Sequence, residues 1–150
     1  MTELQTLQSR LDFIGIDNAT REALRELRPL IGKVLPGLLE QFYGHVGKYP
    51  NLTKMFSSQA AMGHARQAQH DHWMSLATAK FDDAYVASVT RIGLAHNRMG
   101  LEPRWYIGGY NALVAGLLGA IEQRSRTAGS AARRRARRRP FSRPRSPRRR

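Results

Sequence analysis

The sequence contains no cysteine among its 150 residues. Disulfides, thiolate metal ligands and cofactor attachment through a Cys-x-x-Cys-His motif are therefore excluded. A long apolar run is missing too. The longest uncharged stretch, residues 105–121, has seventeen residues, four of them glycine, whereas a helix that crosses a bilayer needs about 20 apolar residues. The N-terminus also lacks the basic start and apolar core of a signal peptide. We therefore expect a cytoplasmic protein without a transmembrane segment.

Acidic residues are absent from the last part of the chain. Residues 124–150 contain thirteen arginines and no Asp or Glu, whereas residues 1–123 contain twelve Lys and Arg against eleven Asp and Glu. The formal net charge of +14 thus lies almost entirely in the tail. A segment so poor in apolar residues cannot offset its ordering entropy. We predict one folded domain over residues 1–123 and a disordered, arginine-rich tail over residues 124–150.

Apolar residues recur at helical spacings of three and four along residues 1–123, and no alternating strand pattern is present. A short second helix is expected to close before Pro29, and the longer helix that follows is expected to stop at Pro50. Gly100 fits a helix C-terminal cap, and Pro103 fits the first position of the next helix. The pattern predicts an all-α fold with six or seven helices.

One apolar helical stripe contains a histidine. Ile92, His96 and Met99 follow each other at spacings of four and three, so they lie on the same face of a helix. Taken alone, a histidine there is more often a hydrogen-bonded core residue than a ligand. The same position suits haem, which needs one neutral imidazole in an apolar slot. Tyr43 lies on another helix. Its hydroxyl could donate a hydrogen bond to a bound gas, or the residue could simply be half-buried with its hydroxyl in water. No phosphate loop, nucleophile elbow or carboxylate pair is present, so we predict no enzyme activity.

Four stretches together resemble a known family, the sensor globins of bacterial haem-based gas sensors (globin-coupled sensors), which are related to protoglobins. The resemblance covers about residues 9–121. Its most specific part places a histidine, a Gly-Leu-x-Pro turn and Trp-Tyr-Ile-Gly in one run. The matching stretches are RLDFIGID, FYGHVGKYPNLTKMF, QAQHDHW and RIGLAHNRMGLEPRWYIGGYNAL.

The resemblance implies a globin-like fold of the sensor-globin type and a noncovalent haem b. By motif, His96 looks like the proximal iron ligand and Tyr43 like the distal tyrosine that hydrogen-bonds bound gas. Ala68 matches the family's second distal position, which leaves Tyr43 as the main donor. The cofactor-binding residues expected from the stripe and the resemblance are His96, Tyr43, Trp73, Ile92, Met99 and Tyr106.

The implied function is to bind dioxygen or another diatomic gas and to pass that state to a signalling partner or output module. The resemblance also implies a homodimer, to which small residues in the helix after Pro103 are suited, although these residues equally suit packing within one chain. In the family another long helix and an output module follow. Here the sequence departs at Arg124, and we expect a truncated or frame-disrupted product without a recognisable final helix.

Two other functions stay open. The arginine-rich tail could bind nucleic acid or a membrane surface without sequence specificity, since clustered arginines neutralise phosphates. Enzymatic oxygen or nitric-oxide chemistry would need a reductase partner. A third outcome is a nonfunctional fragment of a sensor.

Overall fold

The computed structural model describes the backbone of residues 3–137 and the side chains of residues 6–130. This part of the chain forms six α-helices and no strand, which confirms the predicted all-α class. The helices are α1 (Glu3–Phe13), α2 (Asn18–Val46), α3 (Pro50–Thr53), α4 (Gln59–Leu76), α5 (Asp83–Arg98) and α6 (Pro103–Arg137).

Short polar side chains set where the helices begin. The Asp17 carboxylate accepts a hydrogen bond from the Thr20 amide at 2.8 Å, and Asp82 accepts one from the Tyr85 amide at 3.0 Å. Each bond satisfies one of the amides that a helix leaves unpaired in its first turn. Gly100 follows α5 with a φ of +67°, a left-handed conformation that favours glycine. The predicted cap at Gly100 and the helix start at Pro103 are both confirmed.

The two prolines of α2 do not divide it. The sequence predicted a separate short helix that ends before Pro29, but α2 continues through both Pro29 and Pro36. A proline inside a helix removes one backbone hydrogen bond and strains the preceding turn. Packing outweighs that cost here, because the same helix buries Ile31, Leu35 and Leu39 in the core. The expected boundary at Pro29 was therefore wrong.

The last helix runs farther than the sequence pattern predicted. α6 continues past Gln123 to Arg137, through the first part of the arginine-rich segment. Alanine and arginine both favour helix, and the next proline is Pro140. The expected disorder is therefore corrected for residues 124–137. Residues 138–150 of the predicted tail lie outside the described residues, and the division into domain and tail stays a prediction.

The core lies where α2 packs against α4 and α6. Its centre is made of aliphatic side chains, of which Leu35, Leu39 and Leu113 are the largest that are fully buried. The buried cluster consists of Ile31, Leu35, Leu39, Trp73, Ala77, Leu113 and Leu117. α5 contributes no buried residue to it.

Glycines allow α6 to approach α2 closely. A Cβ atom at Gly116 would lie 2.6 Å from a terminal carbon of Leu38, and one at Gly109 would lie 3.1 Å from the Phe42 ring. Nothing lies within 4 Å of the corresponding position at Gly119. Packing within one chain thus accounts for two of the small residues of α6.

We expect Leu35→Ala to lower the free energy of unfolding by about 3 kcal/mol, because it removes a fully buried side chain and leaves a cavity. Leu94→Ala is the matched control, since Leu94 is also helical but is 49% exposed. Urea unfolding of the full chain, followed by circular dichroism, measures both. Equal losses in the two variants would show that Leu35 is not central to the core.

Candidate functional site

The candidate site is a cavity of about 280 Å³, partly open to solvent, that is bounded by α2, α4, α5 and α6, with α3 and the turn after it along one side. Most of its wall is aliphatic or aromatic. Only a few side chains with polar groups reach it, and these come from different helices. They are Tyr43, Gln69, His72, His96, Trp105, Tyr106 and Tyr110.

Five of the six residues predicted to bind the cofactor line this cavity, and the sixth does not. The five are Tyr43, Ile92, His96, Met99 and Tyr106. Trp73 instead belongs to the buried core, where its ring lies 5.5 Å from the Tyr110 ring. Trp73 therefore lies behind Tyr110 rather than at the cavity surface, and its predicted part in binding the cofactor stays a prediction. Ala68, at the expected second distal position, lines the cavity.

His96 enters the cavity from the last turn of α5, where it is half-buried. Its ring meets the Tyr106 ring edge to face, with 5.4 Å between the ring centres. Loss of hydration lowers the pKa of His96, which favours the neutral ring. No hydrogen bond among the described residues uses its nitrogens. His96 is therefore a neutral imidazole with a lone pair available for a metal.

Tyr43 enters the cavity from α2. Its ring packs edge to face on Phe42 and Phe56, at 5.2 and 6.3 Å between ring centres. Burial raises its pKa to about 12, so the phenol keeps its proton at neutral pH. Within the described part of the chain the hydroxyl has no hydrogen-bond partner. It is a donor available to a ligand inside the cavity.

His72 is a polar residue of the site whose position the sequence did not reveal. It is only 8% exposed, and its Nε2 lies 3.0 Å from the Tyr110 hydroxyl. The ring also stacks on Tyr85, with 6.4 Å between ring centres. Its Nδ1 is buried without a partner. Burial lowers the pKa of His72, so this ring too is neutral.

Gln69 lies one helical turn before His72 on the same face of α4. It lines the cavity, and its Oε1 is buried with no hydrogen-bond partner. A helical spacing links both residues to the two alanines Ala65 and Ala68, which line the cavity as well. This helical pattern of alanines beside two polar residues is the sequence feature from which this wall of the cavity could have been predicted.

The lining of the cavity suits a largely apolar cofactor whose metal needs one nitrogen ligand. It has apolar walls, a neutral imidazole without a hydrogen bond, and buried polar atoms that have no hydrogen-bond partner. A centre built from several side chains is not found, because the described residues contain no group of three or more His, Cys, Asp or Glu that could hold a metal ion. Among the described helices, none combines the length and hydropathy needed to cross a membrane.

Comparison with known proteins agrees with this geometry. The model of the Protoglobin family matches residues 3–142. The chain belongs to the protoglobin family. Its fold is accordingly globin-like, which confirms the resemblance found in the sequence. The match of this protoglobin-family chain also extends beyond residue 123, where the folded domain was expected to end.

A curated relative of this protoglobin-family chain is the heme-based aerotactic transducer HemAT of Halobacterium salinarum, which is 33% identical over 113 residues. The aligned region covers 75% of this chain but only 23% of the transducer. The chain thus corresponds to less than a quarter of that relative's length.

The buried His72 makes the stability of this protoglobin-family chain depend on pH. Its pKa is lowered from 6.5 in the fold, so the unfolded chain binds a proton that the folded chain rejects. Stability is therefore complete above about pH 6.5 and decreases as the pH falls below that value. We expect His72→Gln to reduce this slope in urea unfolding experiments, while His64→Gln, at an exposed position of α4, keeps it. Parallel curves for wild type and His72→Gln would contradict the prediction.

Proposed function

We propose that the chain is a haem-based gas sensor domain in which His96 is the axial iron ligand. One observation carries this proposal: an apolar cavity in a protoglobin-family fold is lined by a neutral, unpaired His96 from α5 and by the free hydroxyl of Tyr43 from α2. The ligand is dioxygen or another diatomic gas. Because the chain has no cysteine, thioether attachment is excluded and the haem is held noncovalently; haem b is the type we propose.

The residues of the cavity have distinct roles in this proposal. Haem supplies a ferrous iron that binds diatomic gases reversibly. His96 would hold the iron, and its edge-to-face contact with the Tyr106 ring would fix the orientation of the imidazole. Tyr43 donates a hydrogen bond to the gas. Apolar side chains such as Ile92 and Met99 exclude water, which slows oxidation of the iron.

Signalling in this proposal proceeds through α6 and needs no catalysis by this domain. Four cavity residues, Trp105, Tyr106, Gly109 and Tyr110, belong to α6, so a change in cavity occupancy acts directly on that helix. Its outer side leaves apolar residues exposed, which fits a second copy of the chain or a signalling partner in the cytoplasm. These exposed residues are Ile107, Val114 and Leu118.

The decisive experiment is haem titration of the full chain beside His96→Ala and His64→Ala. We expect wild type and His64→Ala to bind haem and to give the spectrum of a histidine-ligated iron, because His64 is exposed. His96→Ala should lose that spectrum and regain it when free imidazole is added. If His96→Ala kept the histidine-ligated spectrum without imidazole, another residue would be the ligand.

We further expect Tyr43→Phe to release dioxygen about tenfold faster, since loss of one hydrogen bond of about 1.4 kcal/mol corresponds to that factor. Stopped-flow measurement of dioxygen dissociation tests this. Tyr49→Phe is the matched control, because Tyr49 lies outside the cavity, where its ring contacts those of His45 and Trp105 at steep angles. Identical rates in Tyr43→Phe and wild type would remove Tyr43 from the gas site.

A further inference from the structure

The turn between α4 and α5 holds two residues in a backbone conformation that usually belongs to glycine. Ala79 has a φ of +53° and Phe81 a φ of +48°. Both values lie in the left-handed region, where the Cβ atom of an L residue comes too close to the following carbonyl oxygen. Such residues persist only when the surrounding structure holds them in place. A group outside the turn must therefore stabilise this conformation.

Arg21, in the first turn of α2, contacts both strained residues at once. Its guanidinium donates a hydrogen bond to the Ala79 carbonyl at 3.4 Å, and its central carbon lies 5.1 Å from the centre of the Phe81 ring, within the range of a cation–π contact. One helical turn later, Arg25 donates to the Thr78 carbonyl, also at 3.4 Å. These carbonyls follow the C-terminal end of α4, where a positive charge is favourable. The two arginines thus tie the turn to α2.

The same turn sets the direction of α5. Asp82 caps the helix, and Phe81 packs edge to face on Tyr85 in its first turn, with 5.1 Å between ring centres. α5 contributes no buried residue to the core, and its backbone packs mainly against α1 and α4. His96 lies 13 residues after Asp83, about 20 Å along the helix at 1.5 Å per residue. A tilt of about 5° at the turn would therefore move His96 by roughly 2 Å.

We propose that Arg21 is a positioning residue for His96. Through Ala79 and Phe81 it holds the turn in its strained conformation, and the turn fixes the direction of α5 and hence the place of the imidazole in the cavity. Without Arg21 the turn relaxes toward ordinary backbone conformations, and α5 changes its tilt. The inference rests on the proposed role of His96 as the iron ligand. It extends the site to a residue of α2 that does not line the cavity.

The first test records the iron–histidine stretching band by resonance Raman spectroscopy of the ferrous, haem-loaded full chain. This band responds to the orientation of the imidazole and to strain on its bond to iron. Arg21→Gln should shift or broaden the band. Arg21→Lys keeps a cation over Phe81 and a donor for Ala79, so its band should lie between those of Arg21→Gln and wild type. Arg28→Gln is the matched control, because Arg28 is an exposed residue of α2 whose side chain makes no hydrogen bond or ion pair with another described residue.

Ala79→Gly separates positioning from plain stabilisation. Glycine adopts a left-handed φ without strain, so the turn keeps its conformation with less support. Added to Arg21→Gln, Ala79→Gly should therefore return the band toward its wild-type position. A role of Arg21 in stability alone would leave the band unchanged in every variant.

A distance measurement follows α5 itself. Because the chain has no cysteine, spin labels can be attached through Glu40→Cys on α2 and Arg98→Cys on α5, two exposed positions. Pulsed electron paramagnetic resonance then gives the distance between the labels in the full chain, with and without haem. Arg21→Gln should change or broaden this distance, and Arg28→Gln should leave it as in wild type.

The outcomes separate the inference from the proposed function. If wild type shows the iron–histidine band while Arg21→Gln changes neither the band nor the label distance, Arg21 does not position α5, and the inference is wrong although the haem function stands. If the label distance changes but the band does not, Arg21 acts on α5 without reaching His96, which also overturns the inference. If wild type shows no iron–histidine band, the proposed function fails, and the inference fails with it.

Discussion

The close approach of α6 to α2 is the constraint on which the rest of the structure depends. Gly109 and Gly116 leave room for Phe42 and Leu38, and between them Leu113 is buried completely in the core beside Leu35. Because Phe42 also lines the cavity, the same contact determines how wide the cavity is at that side. A larger side chain at Gly109 would press on the Phe42 ring and so change the cavity, as well as the core.

α5 faces the cavity and contributes no buried residue to the core. It has a clear apolar stripe, yet none of its residues is buried, and its backbone packs mainly against α1 and α4. An apolar ligand between α4 and α5 would remove part of that stripe from water. A ligand that binds the folded chain but not the unfolded chain stabilises the fold by mass action. The helix that supplies His96 would therefore gain the most order from the cofactor it holds.

The sequence predicted those features that depend on local chemistry. The stripe around His96 and the capping residues at Gly100 and Pro103 require only helical periodicity and backbone preference, and the structure agrees with them. The site residues on α2 and α5 were found because Tyr43 and His96 lie in motifs shared with a family. Their proposed roles toward a ligand stay predictions.

Features that depend on packing between helices were not predicted. His72 lies in a polar part of α4, and its burial is set by Tyr110 of α6, which is 38 positions away in the chain. Trp73, its neighbour, turns into the core for the same reason. Pro29 is tolerated inside α2 because of tertiary burial that no local rule contains. In each case the deciding partner is distant in the sequence.

α6 joins the cavity to the arginine-rich segment in one helix. From Tyr110 to Arg137 it extends about 40 Å, at 1.5 Å per residue. In general, a cation near a helix C-terminus is stabilised by the partial negative charge there, whereas like charges along a helix repel one another, and salt screens both effects. We therefore expect the stability of the arginine-rich part of α6 to depend on ionic strength. In the proposed signalling, a shift of Tyr106 or Tyr110 at the cavity would be carried along this same helix.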